Sequence, residues 1–368
     1  MDIVKKFDLL LFISVICICI LGVIMIYSSS CIWAEYKFDD PLKYFKAQSL
    51  FFTIGLILMI VTSKIPYKYY KDKANIILGV CFFLLVLVLI PGIGTIRNGS
   101  RSWFGIGSLG IQPSEFVKLG LIIFVSKYLA KNRKELRNIK SGVFPILAIT
   151  ILVFGVIMLQ PDFGTGVIIV MVVIGMLFVS GVKISFFTKI GFLGLGGMVG
   201  LIAVAPYRIQ RILSFIDPWQ DPLGSGFQTI QSLFSIGPGG LLGMGLGNSI
   251  QKHFYLPEPQ TDFIFAIITE ELGFVGALLV CGLLLCIIIR GFKISLDTSD
   301  LFGKYLAFGI TFQIAFQSLL NLMVVVGIVP VTGVTLPFLS YGGSSLLITM
   351  IGIGVLLNIS RYQEERLK

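Results

Sequence analysis

Long apolar runs recur along this chain, and they restrict its possible folds more than any other feature of the sequence. Each run approaches the roughly 20 residues that an α-helix needs to cross a bilayer. Inside a membrane a helix satisfies its own backbone hydrogen bonds, so runs of this length predict spanning helices. The spans that we predict are Leu9–Tyr27, Phe45–Ser63, Asn75–Ile90, Pro113–Ala130, Phe144–Leu159, Gly164–Val182, Phe186–Ala205, Phe263–Ile289, Tyr305–Val329 and Ser340–Ile359. The expected fold class is an all-α integral membrane protein with about ten transmembrane helices.

Composition and charge agree with a membrane protein. Hydrophobic residues make up 56% of the chain and charged residues only 13%, against about 25% charged residues in soluble domains. A soluble protein of this composition would expose large apolar patches. The net charge of +10 could suit a nucleic-acid partner. However, the charges form short clusters between apolar runs rather than one basic face, so we expect no nucleic acid.

The distribution of lysine and arginine predicts the orientation. Most of the 29 basic residues lie in the segments on the same side as the N-terminus, which places both termini in the cytoplasm. The first run follows Lys5 and Lys6 but is long and lacks a small-residue cleavage site, so we interpret it as a retained helix. We expect a single membrane domain over residues 1–368.

One connection is much longer than the others and carries its own structural signals. This exterior loop covers residues 206–261, between the seventh and eighth spans. The segments Arg208–Ile216 and Phe227–Ile236 look amphipathic, which predicts interfacial or re-entrant helices. A long connection in a compact protein is usually functional.

Asp262 follows two prolines and opens the eighth span at the outer edge of the membrane. One interpretation is an acid at a helix N-terminus, where it contributes about 1 kcal/mol. The other is a general base, because partial burial raises the pKa of a carboxylate toward a useful range.

Charged residues also lie within or close to other spans. Glu115 and Lys118 are three residues apart on one helix and can pair, either to lock helices together or to act in function. Arg101 and Trp103 precede that helix and suit either a lipid headgroup or interfacial anchoring. Gly105, Gly107 and Gly110 match GxGxxG, but we expect no strand before them and reject a dinucleotide fold.

Three further polar features have a structural and a functional interpretation. Asp162 lies in an exterior turn, where helix capping is the simpler role. Glu270 and Glu271 lie about three turns into the eighth span, so at least one must face a cavity or pair with a cation. The prolines and glycines over residues 330–345 break the entry to the last span, which must line protein or a cavity. His253 is the only histidine, which excludes a multi-histidine metal site.

Long motifs in order along the chain resemble one family. They are RNGSRSW (97–103), QPSEF (112–116), QPD (160–162), DPW (217–219), DPLGSGFQ (221–228), LPEPQTDFIFA (256–266) and LPFLSYGGSS (336–345). Together they resemble the SEDS family, the shape, elongation, division and sporulation proteins. The short termini and residues 32–40 are most similar to its sporulation branch, and next to its division branch.

The resemblance implies a fold, an activity and partners. It implies ten helices, a large exterior loop before the eighth, and polymerisation of lipid II into peptidoglycan alongside a class B penicillin-binding protein. It also implies a multi-pass protein of the bacterial cytoplasmic membrane, in the forespore outer membrane or at the division septum, in contact with membrane lipids.

The resemblance also implies roles for particular residues. The essential aspartate corresponds to Asp262, the intramembrane pair to Glu115 and Lys118, and the arginine and tryptophan before the fourth helix to Arg101 and Trp103. Positive charge for the leaving pyrophosphate would come from basic residues or from a divalent cation, Mg²⁺ or Mn²⁺. The substrate-binding residues that we expect are Arg101, Trp103, Glu115, Lys118, Asp162, Arg208, Arg211, Gln260, Thr261 and Ser340.

Two other classes of function stay open at this point. A lipid II flippase would use the charged intramembrane residues as a translocation path, although transporters often contain inverted repeats and none is visible here. A scaffold that only docks a penicillin-binding protein would not require a proline-flanked carboxylate at the membrane edge.

Overall fold

Antiparallel helices form most of the protein. The computed structural model describes residues 7–97, 99–105, 110–203, 209, 213–224 and 226–362. Within these residues the main helices are α1 (Leu9–Phe38), α2 (Lys43–Lys64), α3 (Tyr67–Leu87), α4 (Pro113–Lys131), α5 (Phe144–Met158), α6 (Phe163–Val179), α7 (Ile184–Ala203), α8 (Phe227–Ile236), α9 (Ile264–Asp297), α10 (Leu301–Val325) and α11 (Gly343–Arg361). Short 3₁₀ turns occur at Glu135–Arg137, Pro218–Gln220 and Gly237–Gly239, and a π-helical turn at Ile139–Val143 precedes α5.

All of these main helices except α8 follow the predicted spans in order, so the helical membrane fold is confirmed. By length and composition, six helical segments among the described residues can cross a membrane by themselves. The number of ten spans therefore stays a prediction. Many large apolar side chains on the outer faces of the bundle are exposed, among them Phe83, Ile151, Phe192 and Leu285. Lipid is the solvent in which such faces are stable.

Several helix boundaries differ from the predicted ones, because hydrophobicity marks the lipid-facing part of a helix and not its ends. Helix α1 continues eleven residues past Tyr27 and ends where Asp39 adopts a left-handed conformation, with φ of 53°. Helix α3 begins at Tyr67 instead of Asn75. Helix α11 begins at Gly343 instead of Ser340.

A small β-hairpin interrupts the otherwise helical fold. Strands β1 (Thr95–Arg97) and β2 (Ser100–Trp103) pair antiparallel between α3 and α4. Gly99 has a φ of 79° in the turn, a conformation that glycine adopts without steric cost. A strand therefore does precede Gly105, contrary to the prediction. The hairpin is too short for a dinucleotide-binding unit, so the rejection of that fold is unaffected.

The two ends of the described chain lie on the same side of the bundle. The backbone N–H of Asp8 donates to Ser360 Oγ at 3.2 Å, and the Arg361 guanidinium lies 5.4 Å from the ring centroid of Phe7. This arrangement agrees with the predicted cytoplasmic location of both termini.

Polar contacts join α1 and α9 near both ends of the paired helices. At one end, Arg290 pairs with Asp8 at 2.6 Å. Toward the other end, Ser28 Oγ donates to the carboxylate of Glu271 at 2.6 Å. The helical stretch from Asp8 to Ser28 rises about 30 Å, which is long enough to cross a hydrocarbon core. Helix α9 begins about 10 Å beyond Glu271, on the side away from Asp8.

The exterior loop is folded onto the outer ends of α9 and α10. Helix α8 has the predicted bounds, and its buried hydroxyls anchor it, since Ser232 donates to the Val325 carbonyl at 2.7 Å and Ser235 to the Ala266 carbonyl at 3.0 Å. The other predicted segment, Arg208–Ile216, lies largely outside the described residues; residues 213–216 form a helical turn.

The glycine-rich part of the loop is inserted into a kink in α9. Gly273 has a φ of 64° inside the helix, and the N–H groups that the kink frees at Phe274 and Val275 donate to the loop carbonyls of Gly240 and Leu241, at 2.9 and 3.1 Å. A side chain at Gly273 would overlap the loop backbone. The kink therefore holds the loop against the helix.

Candidate active site

Asp262 is a partly exposed residue at the outer end of α9. The helix begins two residues later, at Ile264, with Phe263 in the N-cap position. Phe263 is fully buried, so it fixes the chain on which Asp262 is carried. Asp262 therefore precedes the N-cap residue. The sequence had suggested instead that Asp262 opens the helix.

The backbone and side chain of Asp262 are both held by neighbours. Thr261 Oγ1 donates to Asp262 Oδ1 at 2.9 Å and to the Glu258 carbonyl at 2.7 Å. Asn321 on α10 donates to the Asp262 carbonyl and to the Val334 carbonyl, both at 2.7 Å. Asp262 is thus positioned from two sides, by its own loop and by a buried amide on α10.

Gln260 lies beneath this carboxylate. Its carbonyl accepts from the Tyr341 N–H at 2.8 Å, which ties the Asp262 loop to the segment before α11. Gln260 Oε1 is buried and has no hydrogen-bond partner among the described residues. A buried amide oxygen without a donor is costly, and a buried water molecule would satisfy it.

Glu115 and Lys118 form the predicted ion pair, and a longer polar chain extends from it. Lys118 Nζ lies 2.9 Å from the Glu115 carboxylate and donates to Gln317 Oε1 at 3.0 Å. Gln317 Nε2 in turn donates to the Thr335 carbonyl at 3.0 Å, and Thr335 Oγ1 lies 3.3 Å from Ser345 Oγ. The chain links α4 through α10 to the broken segment before α11.

Asp162 caps α6 and also faces this polar interior. Its carboxylate accepts from the Thr165 N–H and from Gln112 Nε2, both at 3.1 Å. Burial raises the pKa of Asp162, and the hydrogen bonds from Thr165 act in the opposite direction. Glu115 and Lys118 act on it electrostatically. The capping role is therefore real, and the residue nevertheless belongs to the same polar region as the ion pair.

The hairpin carries Arg101 and Trp103 next to the Asp162 turn. Ser100 Oγ donates to the Gln160 carbonyl, and the Trp103 carbonyl accepts from Thr95 Oγ1 at 3.1 Å. The side chains of Arg101 and Trp103 are half-buried. Arg101 is therefore a cation on a tethered hairpin rather than on a free loop.

Ser340 has a structural role in this conformation. Its hydroxyl accepts from the Leu336 N–H at 2.8 Å, and its carbonyl accepts from Gln48 Nε2 at 3.3 Å. These bonds hold the broken entry to α11. Arg208 and Arg211, which we expected to face the pyrophosphate, lie outside the described residues.

The two buried glutamates on α9 anchor the exterior loop. Glu271 lies 3.3 Å from Lys252 Nζ, so the predicted need for a cation is confirmed. Glu270 instead accepts hydrogen bonds from the loop itself, from Ser235 Oγ at 3.0 Å and from the Ile250 N–H at 2.8 Å.

Sequence reasoning missed the polar face of α10. Gln313, Gln317 and Asn321 are buried and lie four residues apart, on one face of the helix. Amides repeating at helical spacing in an apolar span were the available signal. Gln112 and Ser344 were also missed; the Gln112 N–H donates to Ser344 Oγ at 2.9 Å, which joins α4 to α11.

Few side chains among the described residues are placed to bind a metal ion together. Among the described residues, no group of three or more His, Cys, Asp or Glu side chains could hold an ion. Magnesium, however, is commonly bound by one or two carboxylates together with substrate phosphates and water. The partly exposed carboxylate of Asp262 fits that mode of binding.

Comparison with known proteins extends over the whole chain. Residues 8–365 match the FtsW, RodA and SpoVE family of cell cycle proteins. Stage V sporulation protein E of Bacillus subtilis strain 168 is 53% identical over 355 residues, covering 96% of this chain and 97% of that protein. A probable peptidoglycan glycosyltransferase FtsW of Geobacter sp. strain M18 is 39% identical over 357 residues, covering 97% of both chains.

Solved structures share the fold. A chain of a peptidoglycan synthase complex, studied for how polymerization and crosslinking are coordinated, superposes with a TM-score of 0.79 at 32% identity, covering 98% of this chain and 99% of that one. The rod shape determining protein RodA of Thermus thermophilus gives a TM-score of 0.68 at 29% identity, covering 97% and 98%. The protein is thus a multi-pass membrane protein and belongs to the FtsW, RodA and SpoVE family, the SEDS family that its motifs resemble.

Proposed function

We propose that this protein is a peptidoglycan glycosyltransferase that polymerises lipid II at the outer face of the bacterial cytoplasmic membrane. The observation that carries the proposal is the position of Asp262. This partly exposed carboxylate lies just before α9, at the end of the bundle away from the Asp8–Arg290 pair, and is held by Thr261 and Asn321. The FtsW relative is a probable peptidoglycan glycosyltransferase, which supports the same reaction.

In the proposed reaction, Asp262 acts as general base. It accepts the proton of the sugar 4-hydroxyl of one lipid II molecule while that oxygen attacks the anomeric carbon of the donor. The new glycosidic C–O bond forms as the bond from the anomeric carbon to the pyrophosphate oxygen breaks, and the polyprenyl pyrophosphate leaves. A single displacement inverts the anomeric configuration. The proton on Asp262 then passes to water.

Positive charge must stabilise the pyrophosphate as it leaves. Arg101 on the hairpin is suited to this by its planar guanidinium, and Arg208 and Arg211 are candidates from the sequence alone. Lys118 is already paired with Glu115 inside the bundle, so we assign this pair to positioning the groove between the helices. A bound Mg²⁺ or Mn²⁺ held by Asp262 and the substrate phosphates would supply further charge.

We also propose the biological setting. The protein works with a class B penicillin-binding protein, a partner consistent with the structural similarity to a chain of a peptidoglycan synthase complex. The higher identity to the sporulation protein than to the FtsW relative favours cortex synthesis in the forespore outer membrane over division at the septum.

The test is lipid II polymerisation by the purified protein with its class B partner, whose own active serine is blocked. Wild type is compared with Asp262→Asn and with Asp300→Asn, a matched control at the N-cap of α10 on the opposite side of the bundle. We expect Asp262→Asn to keep its fold and partner yet lose polymerisation, and Asp300→Asn to stay active. Equal activity of Asp262→Asn and wild type would show that another residue is the general base. Headgroup transfer across vesicles without polymerisation would instead support a flippase.

A further inference from the structure

A group of aromatic rings projects from the outer face of the protein beside the candidate active site. One set joins the end of α1 to the exterior loop, with Phe254 at 5.7 Å from Trp33 and 5.3 Å from Tyr36, ring centroid to centroid. A second set joins α1 to α2 and to the segment before α11, with Tyr44 at 6.1 Å from Phe38 and 4.8 Å from Tyr341. We call these rings the aromatic collar: Trp33, Tyr36, Phe38, Tyr44, Phe254 and Tyr341.

The collar presents much of its surface to solvent. Tyr36 is 77% exposed and Phe254 is 50% exposed. Phe254 also has a φ of 67°, a conformation that is unfavourable for a bulky residue. A structure that holds an aromatic ring in this way at the surface suggests a binding role for the ring.

The collar rings of α1 lie beyond Ser28, at the end of the bundle that carries Asp262, since Ser28 contacts Glu271 on α9. Tyr36 is about 12 Å beyond Ser28 along α1, a larger distance than the roughly 5–8 Å of one headgroup layer.

The collar is continuous with the loop that carries Asp262. Tyr341 donates its N–H to the Gln260 carbonyl at 2.8 Å. Glu258 acts electrostatically on the Tyr44 hydroxyl, and its carbonyl accepts from Thr261. The collar is therefore connected to the loop that carries Asp262.

Two lysine ammonium groups lie against collar rings, although Glu35, Asp39 and Asp40 balance Lys37, Lys43 and Lys46 in the segment and Asp40 pairs with Lys46 at 3.0 Å. Lys43 Nζ lies 3.1 Å from the Phe38 ring centroid, and Lys37 Nζ lies 5.3 Å from the Trp33 ring centroid and 5.7 Å from that of Phe38. The C–H faces of sugar rings pack against aromatic rings, and lysine ammonium groups bind carboxylates. The combination fits a glycan that carries carboxylate groups.

We infer that the aromatic collar binds the growing glycan strand, a polymer of amino sugars bearing carboxylates, next to Asp262. This inference rests on the proposed polymerase function and names a site for the product of that reaction. The collar holds the strand between additions, so it determines strand length without taking part in bond formation.

The test variant is the double substitution Tyr36→Gln and Phe254→Asn. Glutamine preserves helix propensity at position 36, and asparagine tolerates the left-handed backbone at position 254. The control is Tyr69→Gln, since Tyr69 is 54% exposed near the start of α3, at the opposite end of the bundle. The same substitution is thereby made on a similarly exposed ring away from the collar.

One measurement uses the full-length protein in nanodiscs, and two use its complex with the class B partner, whose own active serine is blocked. Binding of lipid-free, fluorescently labelled glycan fragments is measured at equilibrium, and strand length is measured in the polymerisation assay. Recovery of the partner on co-purification is the third. We expect the double variant to bind fragments about tenfold more weakly than wild type and to make shorter strands. Partner recovery should stay close to wild type, and Tyr69→Gln should behave as wild type in all measurements.

The outcomes separate this inference from the proposed function. If wild type binds fragments through the collar but does not polymerise lipid II, the collar stands and the polymerase assignment fails. If wild type polymerises but the double variant matches it in fragment binding and strand length, the collar inference is overturned. Loss of partner recovery with unchanged fragment binding would also overturn it, because the rings would then be a protein contact.

Discussion

Lys252 in the exterior loop pairs with Glu271 on α9 at 3.3 Å, and both side chains are almost completely buried. The Ser28 hydroxyl and the Ser249 backbone N–H also donate to the Glu271 carboxylate. The pair joins the exterior loop to α1 and α9 toward the end of the bundle that carries Asp262. The pair therefore fixes the position of the exterior loop, from which the segment leading to Asp262 continues.

Replacing one partner of this pair should destabilise the protein strongly. Lys252→Met leaves the Glu271 carboxylate buried without its cation, which costs about 3–5 kcal/mol. The double variant Lys252→Met and Glu271→Gln removes the charge as well and should recover most of the loss. Thermal unfolding in detergent measures the free energies. A single variant as stable as wild type would show that the ion pair contributes nothing.

The glycines that carry the loop past α9 should differ in their tolerance of alanine. Gly243 and Gly247 have φ of 77° and 84°, so alanine is strained at both by about 1–2 kcal/mol. At Gly243 an added Cβ would also overlap the Glu271 carbonyl, whereas at Gly247 it would meet open space. We expect Gly243→Ala to expose the loop to protease at a lower temperature than Gly247→Ala. Equal sensitivity of the two variants would contradict the docked loop.

The Glu115–Lys118 pair allows its structural and functional roles to be separated. Either single change to glutamine leaves one buried charge unpaired, and we expect each to lose about 3–5 kcal/mol of stability. The double change to glutamine should regain at least half of that loss. If the pair only locks helices, the double variant will also polymerise lipid II; we expect instead a folded variant with little activity. Unfolding and polymerisation assays on the same preparations decide between these results.

Asp162 should make stability depend on pH. Burial raises the pKa of this carboxyl in the folded protein, so the folded state binds a proton more tightly than the unfolded chain does. Its contribution is fully present below the unfolded pKa of about 3.9 and is lost as pH rises through the folded pKa. Asp162→Asn keeps a capping oxygen and does not titrate. The difference in unfolding temperature between wild type and Asp162→Asn should therefore be most favourable to wild type at acidic pH. A difference that is constant with pH would contradict the raised pKa.

Some elements were predictable because their physical cause is local. The apolar runs located the spanning helices, and the amphipathic pattern of Phe227–Ile236 gave the bounds of α8. The i,i+3 spacing of Glu115 and Lys118 was enough to predict their ion pair. The predicted boundaries of α1 and α3 were wrong, because a helix continues through polar residues until a cap or a turn stops it.

The site itself depended on contacts between distant segments. Asn321 reaches the Asp262 carbonyl across 59 residues, and Gln317 links Lys118 to the segment before α11. No local pattern specifies such pairs. Likewise, no local pattern marks Lys252 as the cation that the fold buries against Glu271.

The sequence by itself therefore determined that this protein is a helical membrane protein and to which family it belongs, since hydropathy and motifs act through single residues and short spacings. Only the tertiary structure decided which polar groups meet at the end of the bundle that carries Asp262 and how the exterior loop is held there. The reason is physical: burial and pairing are properties of groups brought together from separate helices, and those distances exist only after the bundle has packed.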